Sequence, residues 1–184
     1  MGERARDLPL TFEEAARLDP DTEAGELDGG TWVPVTRSTW LHGKVVANIT
    51  VLLGLYVREH PELSLSTGDP GTRLSRAPDV LRGPDIGVAR VEREPTGEGS
   101  EGWLDGAPDL AVEVIGDSQS PSELARKALE YLGAGAQMVW VVDPGPRRVI
   151  VYTPPNAVAV LGAEDLLDGG PVLPGFSCRV GELF

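Results

Sequence analysis

Cysteine is almost missing from this chain. Cys178 stands alone, which excludes an internal disulfide and any zinc site built from thiolates. Histidine is nearly as scarce, and His42 and His60 lie too far apart for metal-ligand spacing. Both facts fit a reducing compartment, so a cytoplasmic protein is expected. Positive charge is also in short supply, with 16 Lys and Arg against 29 Asp and Glu and a formal net charge of −13. Broad, sequence-independent nucleic-acid binding depends on neutralising phosphates, and this balance argues against it while leaving room for a local basic cleft. Long hydrophobic runs are lacking too. The longest, Val45 to Val57, is broken by Asn48, Thr50 and Gly54 and falls short of the roughly 20 apolar residues a bilayer span needs. The opening "MGERARDLPLTFEEAARL" is charged and does not read as a secretory signal. No repeat, P-loop or dinucleotide fingerprint occurs; "GAGAQ" follows a helical pattern and precedes a strand, the reverse of the required context.

What remains is a chain of 184 residues with 41% hydrophobic content, long enough for a substantial core. Residues 1–24 read as a charged leader with a short helix over Phe12–Leu18, and 25–184 as a single domain. "GELDGGTWVPV" places Asp28, Gly29 and Gly30 between two extended pieces, a hairpin pattern. A helix capped by Ser38 or Thr39 should run to about Glu59, with Leu41, Val45, Ile49, Leu52, Leu53 and Tyr56 as its core stripe. Strands are expected near Leu63–Thr67 and Thr72–Leu74, then in "PDIGVARVE" and "DLAVEVI". The loop 92–108 between the last two reads as a mobile surface loop pointing away from Asp85, with Trp103 packed back on the sheet or forming a contact surface. Ser120, Pro121 and Glu123 open the next helix with a capping box, and Gly133 and Gly135 end it. "MVWVVD" and "RVIVYT" follow as strands, and the tail reads as extended and packed. Helices alternating with strands indicate an α/β fold with a mixed sheet.

One residue breaks this pattern. Glu113 sits in the middle of the apolar strand "LAVEVI", and an ionised carboxylate there costs several kcal/mol unless compensated. An antiparallel hairpin with its midpoint near residue 100 would set Asp85 opposite residue 115 and make Glu113 a diagonal neighbour. Two such carboxylates repel, so either one holds a proton or a cation lies between them. Oxygen ligands favour a hard ion, Mg²⁺ or Mn²⁺. Lys127 falls at the boundary of the following helix, with Arg126 and Glu130 on its outer side, and its stem can carry an ammonium to the sheet end. Plainer readings stay open at this point: a surface Glu123–Lys127 pair at i,i+4, a structural hydrogen-bond network for Glu113, and a turn role for Asp85 after Pro84.

"GPDIGV", "PDLAVEVI", a Pro/Ser-rich turn, a helix with "K...Y" and "WVVDP", taken in order, resemble the Uma family of restriction-endonuclease-like proteins in the PD-(D/E)XK nuclease superfamily. The resemblance runs from "GELDGG" to "LPGFSCRVGELF". It implies a restriction-endonuclease-like core, a mixed β-sheet flanked by helices, with Asp85 and Glu113 holding a catalytic divalent metal, Mg²⁺ or Mn²⁺. The superfamily's usual lysine position, two residues after the second acid, is occupied here by Ile115. Lys127, fourteen residues after Glu113, is the matching lysine in this family. Glu26 is a candidate for an additional N-terminal acid, and His42 matches a histidine at the start of the long helix without an assigned role. DNA is the expected partner, a homodimer is expected because two strands need two sites, and no membrane association is expected. Under this reading, truncating Lys127 to Ala should slow turnover with little loss of fold.

Two rivals come from other classes. "VIGDSQS" resembles the nucleophile block of GDS-type esterases with Ser118 as nucleophile, but no histidine follows His60 to serve as base. A nuclease-like fold kept as a non-catalytic binding or oligomerisation module is the stronger rival, favoured by the acidic charge.

Overall fold

The structure is a computed structural model, and it describes residues 9–18, 24–35, 37–97, 102–116, 120–155 and 157–184. Ser118 therefore lies outside the described residues. The chain runs through α1 (Phe12–Ala15), the hairpin β1 (Gly25–Asp28) and β2 (Thr31–Pro34), and the long helix α2 (Trp40–Arg58). Next come β3 (Leu63–Thr67), β4 (Thr72–Ser75), β5 (Val80–Arg82), β6 (Ile86–Arg90), β7 (Leu104–Asp105) and β8 (Leu110–Val114). After α3 (Pro121–Gly133) follow β9 (Met138–Asp143), β10 (Arg148–Thr153), β11 (Ala157–Gly162), β12 (Leu166–Asp168) and β13 (Ser177–Arg179).

Local chemistry explains the helix starts. Thr11 and Glu14 cap α1 reciprocally, Thr39 accepts the His42 amide at the start of α2, and Ser120 and Glu123 form the capping box of α3. The β1–β2 turn needs two residues with positive φ, which Gly29 (58°) and Gly30 (86°) adopt without a Cβ penalty.

Six strands in the order β11-β10-β9-β8-β6-β3 make the central mixed sheet, parallel only at β8–β9, where α3 is the crossover. Five shorter strands, β2-β1-β5-β4-β7, make a second sheet, and β12 and β13 pair separately. On one face of the central sheet, α2 buries Val45, Ile49 and Leu53 against Val88, Leu110, Val112 and Trp140. On the other face, α3 buries Leu124, Ala128 and Tyr131 against Ala111, Val139 and Val141. The opposite side of α3 meets charged groups of the five-stranded sheet, so α3 lies between two sheets. α2 is the one described helix long and apolar enough to cross a membrane by length and composition, and three of its side chains are core.

Two expectations are corrected. Leu41, placed in the core stripe of α2, is 51% exposed, in a first turn whose Trp40 is 93% exposed, and burial on the helix begins at Val45. Of the loop 92–108, residues 98–101 lie outside the described residues, while in its second half Leu104 and Asp105 pair in parallel with β4 and Trp103 packs edge-on against Phe12 with ring centroids 6.5 Å apart.

Candidate active site

Strand periodicity aims Glu113. Leu110, Val112 and Val114 pack toward α2, while Ala111 packs toward α3, and with side chains alternating across the sheet Glu113 shares the α3 side. Directly above it, Lys127 and Tyr131 sit one helical turn apart on the same strip of α3. The Tyr131 hydroxyl donates to Glu113 Oε1 at 2.8 Å. Lys127 Nζ lies 3.8 Å from that oxygen and donates to Glu26 Oε1 at 2.7 Å. The surface pairing of Lys127 with Glu123 is thereby replaced: Glu123 accepts the Ser120 amide at 2.7 Å as a cap, and Lys127 turns inward.

Asp85 arrives from the adjacent strand. The β6–β8 register pairs Ile86 with Val112, so one further step sets Asp85 across from Glu113. The expected partner was residue 115, two positions away, because a loop of that length does not fix register. A shift of two keeps the same face. Asp85 stands just before β6, where its Oδ2 accepts the Val114 amide at 2.6 Å and its Oδ1 lies 3.2 Å from His42 Nε2. His42 thus ties the first turn of α2 to the end of the sheet.

Glu26, carried on β1 of the second sheet, accepts hydrogen bonds from both Lys127 and the Gly83 amide. Asp69 completes the acidic set. It lies in the loop "TGDPGT" with φ of 57°, an uncommon conformation for a non-glycine residue. Arg82 supports the group from beneath. Only 1% exposed, it donates to Glu130 Oε2 at 2.8 Å and to Asp28 Oδ1 at 3.0 Å, and its Nη1 lies 3.7 Å from Glu26 Oε2. Arg126 reaches Asp28 Oδ2 at 3.1 Å and also pairs with Glu130. Arg126 stays on the outer side as expected, with its side chain 46% exposed, whereas Glu130 is 25% exposed and turns to the buried Arg82 of the five-stranded sheet, which helical periodicity alone does not reveal.

The electrostatics record a shortage of positive charge. Burial pushes the Glu113 carboxyl up to about 8, and the nearby Asp85 and Glu26 charges add to the rise against the pull of Lys127 and Tyr131. Burial also raises Asp69, with Asp85 and Glu26 contributing. The hydrogen bond that His42 donates to Asp85 raises the imidazole against the effect of burial. Burial pulls Lys127 down, but Glu113 and Glu26 outweigh it and hold the ammonium above its ordinary value.

Among the described residues no three His, Cys, Asp or Glu side chains form a ready-made metal cage. By chemistry the set nonetheless fits a hard divalent cation. Its donors are carboxylate oxygens, and two of the acids carry raised proton affinities that a second positive charge would relieve. Glu26, Asp69, Glu113 and Lys127 line a cleft of ≈ 890 Å³ with Trp32 and Trp103 on its walls.

The same arrangement of sheets and helices occurs in a crystal structure of a protein described as a putative nuclease of the DUF820 group from Anabaena variabilis ATCC 29413. The TM-score is 0.82 at 22% sequence identity, over 96% of this chain and 98% of that one. The fold is therefore that of a nuclease-like mixed α/β protein. The sequence model of the Uma2 family, described as "Putative restriction endonuclease", matches residues 11–181, and the chain belongs to that family. No curated protein matches it.

Proposed function

We propose that the protein is a metal-dependent endodeoxyribonuclease whose working groups are Asp85, Glu113 and Lys127. The observation that supports this most is the company of Glu113, a buried carboxylate set across from Asp85 with an ammonium 3.8 Å away. A stability role alone gives no reason to keep a group so costly. Asp85 and Glu113 would hold Mg²⁺ or Mn²⁺, which when bound polarises a phosphodiester and lowers the pKa of its water. The remaining chemistry belongs to the chain. Lys127, held as ammonium by its pair with Glu26 beside Glu113, acts as a fixed cation that stabilises charge growing on phosphate oxygens, not as a base. Tyr131 fixes the orientation of the Glu113 carboxyl, and His42 does the same for Asp85. The buried, free Cys178 fits a reducing cytoplasm.

A non-catalytic module is the second reading. Its support is the Lys127–Glu26 pair at 2.7 Å, which engages the ammonium internally. Incubating plasmid and single-stranded DNA with the protein and Mg²⁺ or Mn²⁺, alongside Glu113→Gln, separates the two. Metal-dependent cleavage lost in the variant supports the nuclease. Absence of cleavage on every substrate, or equal cleavage by the variant, refutes it.

A further inference from the structure

We infer that the cleft recognises unpaired nucleobases by stacking on Trp32 and Trp103, so that single-stranded DNA is its preferred ligand. This deepens the nuclease reading and rests on it for the identity of the ligand.

The two indoles are placed by the backbone that also carries the acids. The Trp32 ring lies over Gly25, the residue before Glu26, where an added Cβ would fall 2.7 Å from Trp32 Cε2. The Trp103 ring lies over Gly71, two residues after Asp69, and an added Cβ there would collide with it. A glycine under each ring lets a broad flat surface sit close to the chain. Both rings also pack on the small apolar cluster of Leu10, Phe12, Leu27 and Leu81, which holds them while each remains part of the cleft wall. Aromatic residues are 5% of the chain, yet two of its four tryptophans line this one cleft.

Charge makes stacking the principal source of affinity. The cleft walls carry five carboxyl side chains against four cations, and Arg82, Arg126 and Lys127 are committed to Asp28, Glu130 and Glu26. The net charge of −13 offers a duplex little phosphate neutralisation at longer range. Base faces are neutral, and a paired base hides them inside the duplex stack. An unpaired base offers a π-face whose stacking on an aromatic side chain strengthens binding by roughly tenfold or more. The cleft volume, ≈ 890 Å³, lies within the range of small-ligand pockets of about 300–1,000 Å³, a size for a few splayed nucleotides and not for a turn of duplex.

The test is fluorescence anisotropy of the full chain, with Ca²⁺ in place of Mg²⁺, against three labelled probes. These are a short single-stranded oligonucleotide, its duplex, and a single strand of equal length made entirely of abasic sites. The single strand is expected to bind at least about tenfold more tightly than either other probe. Trp32→Leu and Trp103→Leu should each remove about tenfold of that advantage. If the abasic strand or the duplex binds as tightly as the single strand, stacking is overturned whether or not the variants fold. Binding of single strands with no Mg²⁺- or Mn²⁺-dependent cleavage defeats the nuclease reading and leaves this one standing. Cleavage of a duplex that binds as well as a single strand does the reverse.

Discussion

Glu113 should make the protein less stable as the solution becomes more alkaline. In the unfolded chain its carboxyl loses a proton near the ordinary value of 4.5, whereas the native protein keeps that proton up to about 8. Between those values the native state binds more protons than the unfolded state, so stability falls as pH rises through the window. Below about 4.5 the group costs nothing, and above about 8 the full penalty is present. A window of this width corresponds to roughly 5 kcal/mol as an upper limit, the order of a whole domain's net stability. Other titrating groups also tilt the curve, so the informative quantity is the gap between wild type and Glu113→Gln in urea unfolding. The variant, neutral at this position throughout, should match wild type at acid pH and gain on it by several kcal/mol toward pH 8. Mn²⁺ at the alkaline end should stabilise wild type more than the variant. A gap that stays constant from acid to alkaline pH would show that Glu113 is not held protonated by its surroundings.

Lys127→Met is expected to cost about 3 kcal/mol at neutral pH, because it strands the buried Glu26 carboxylate that Lys127 holds at 2.7 Å; thermal melts should show the loss growing above about pH 8, where Lys127 also faces an ionised Glu113. This departs from the expectation of an easily tolerated truncation, which assumed a boundary position for a side chain that is in fact 12% exposed. His42→Ala should weaken Mn²⁺ binding by about 10–100-fold in calorimetry by freeing Asp85, and an unchanged affinity would remove His42 from that role. Arg82→Met should destabilise by about 3–5 kcal/mol in chemical denaturation, since Glu130, Asp28 and Glu26 lose the cation they share, and a loss under about 1 kcal/mol would mean the network is well solvated.

The features legible in the sequence were those that violate a local pattern. Glu113 was conspicuous because one charge in an apolar strand demands an explanation, and the Ser120 cap with Pro121 announces α3. Asp85 and Glu113 could be assigned to neighbouring strands, but the register between them came out two residues off because the loop carries no turn signal. Asp69 stayed hidden because "GDPG" is ordinary turn composition. The signal that distinguishes it, a positive φ in a crowded acidic setting, exists only in three dimensions. Arg82 was missed for a related reason: β5 is three residues long, too short for periodicity, and a lone Arg in it looks solvent-bound until a second sheet is known to close over α3.

α3 lies between two layers contributed by distant parts of the chain, and Glu26 meets Lys127 across a sequence separation of 101. During synthesis the β1–β2 hairpin is made long before the crossover helix, and no fragment ending before Lys127 contains the whole candidate site. Under the proposed nuclease reading such an order of assembly would act as a safeguard, because a nascent chain presents the acids without their ammonium.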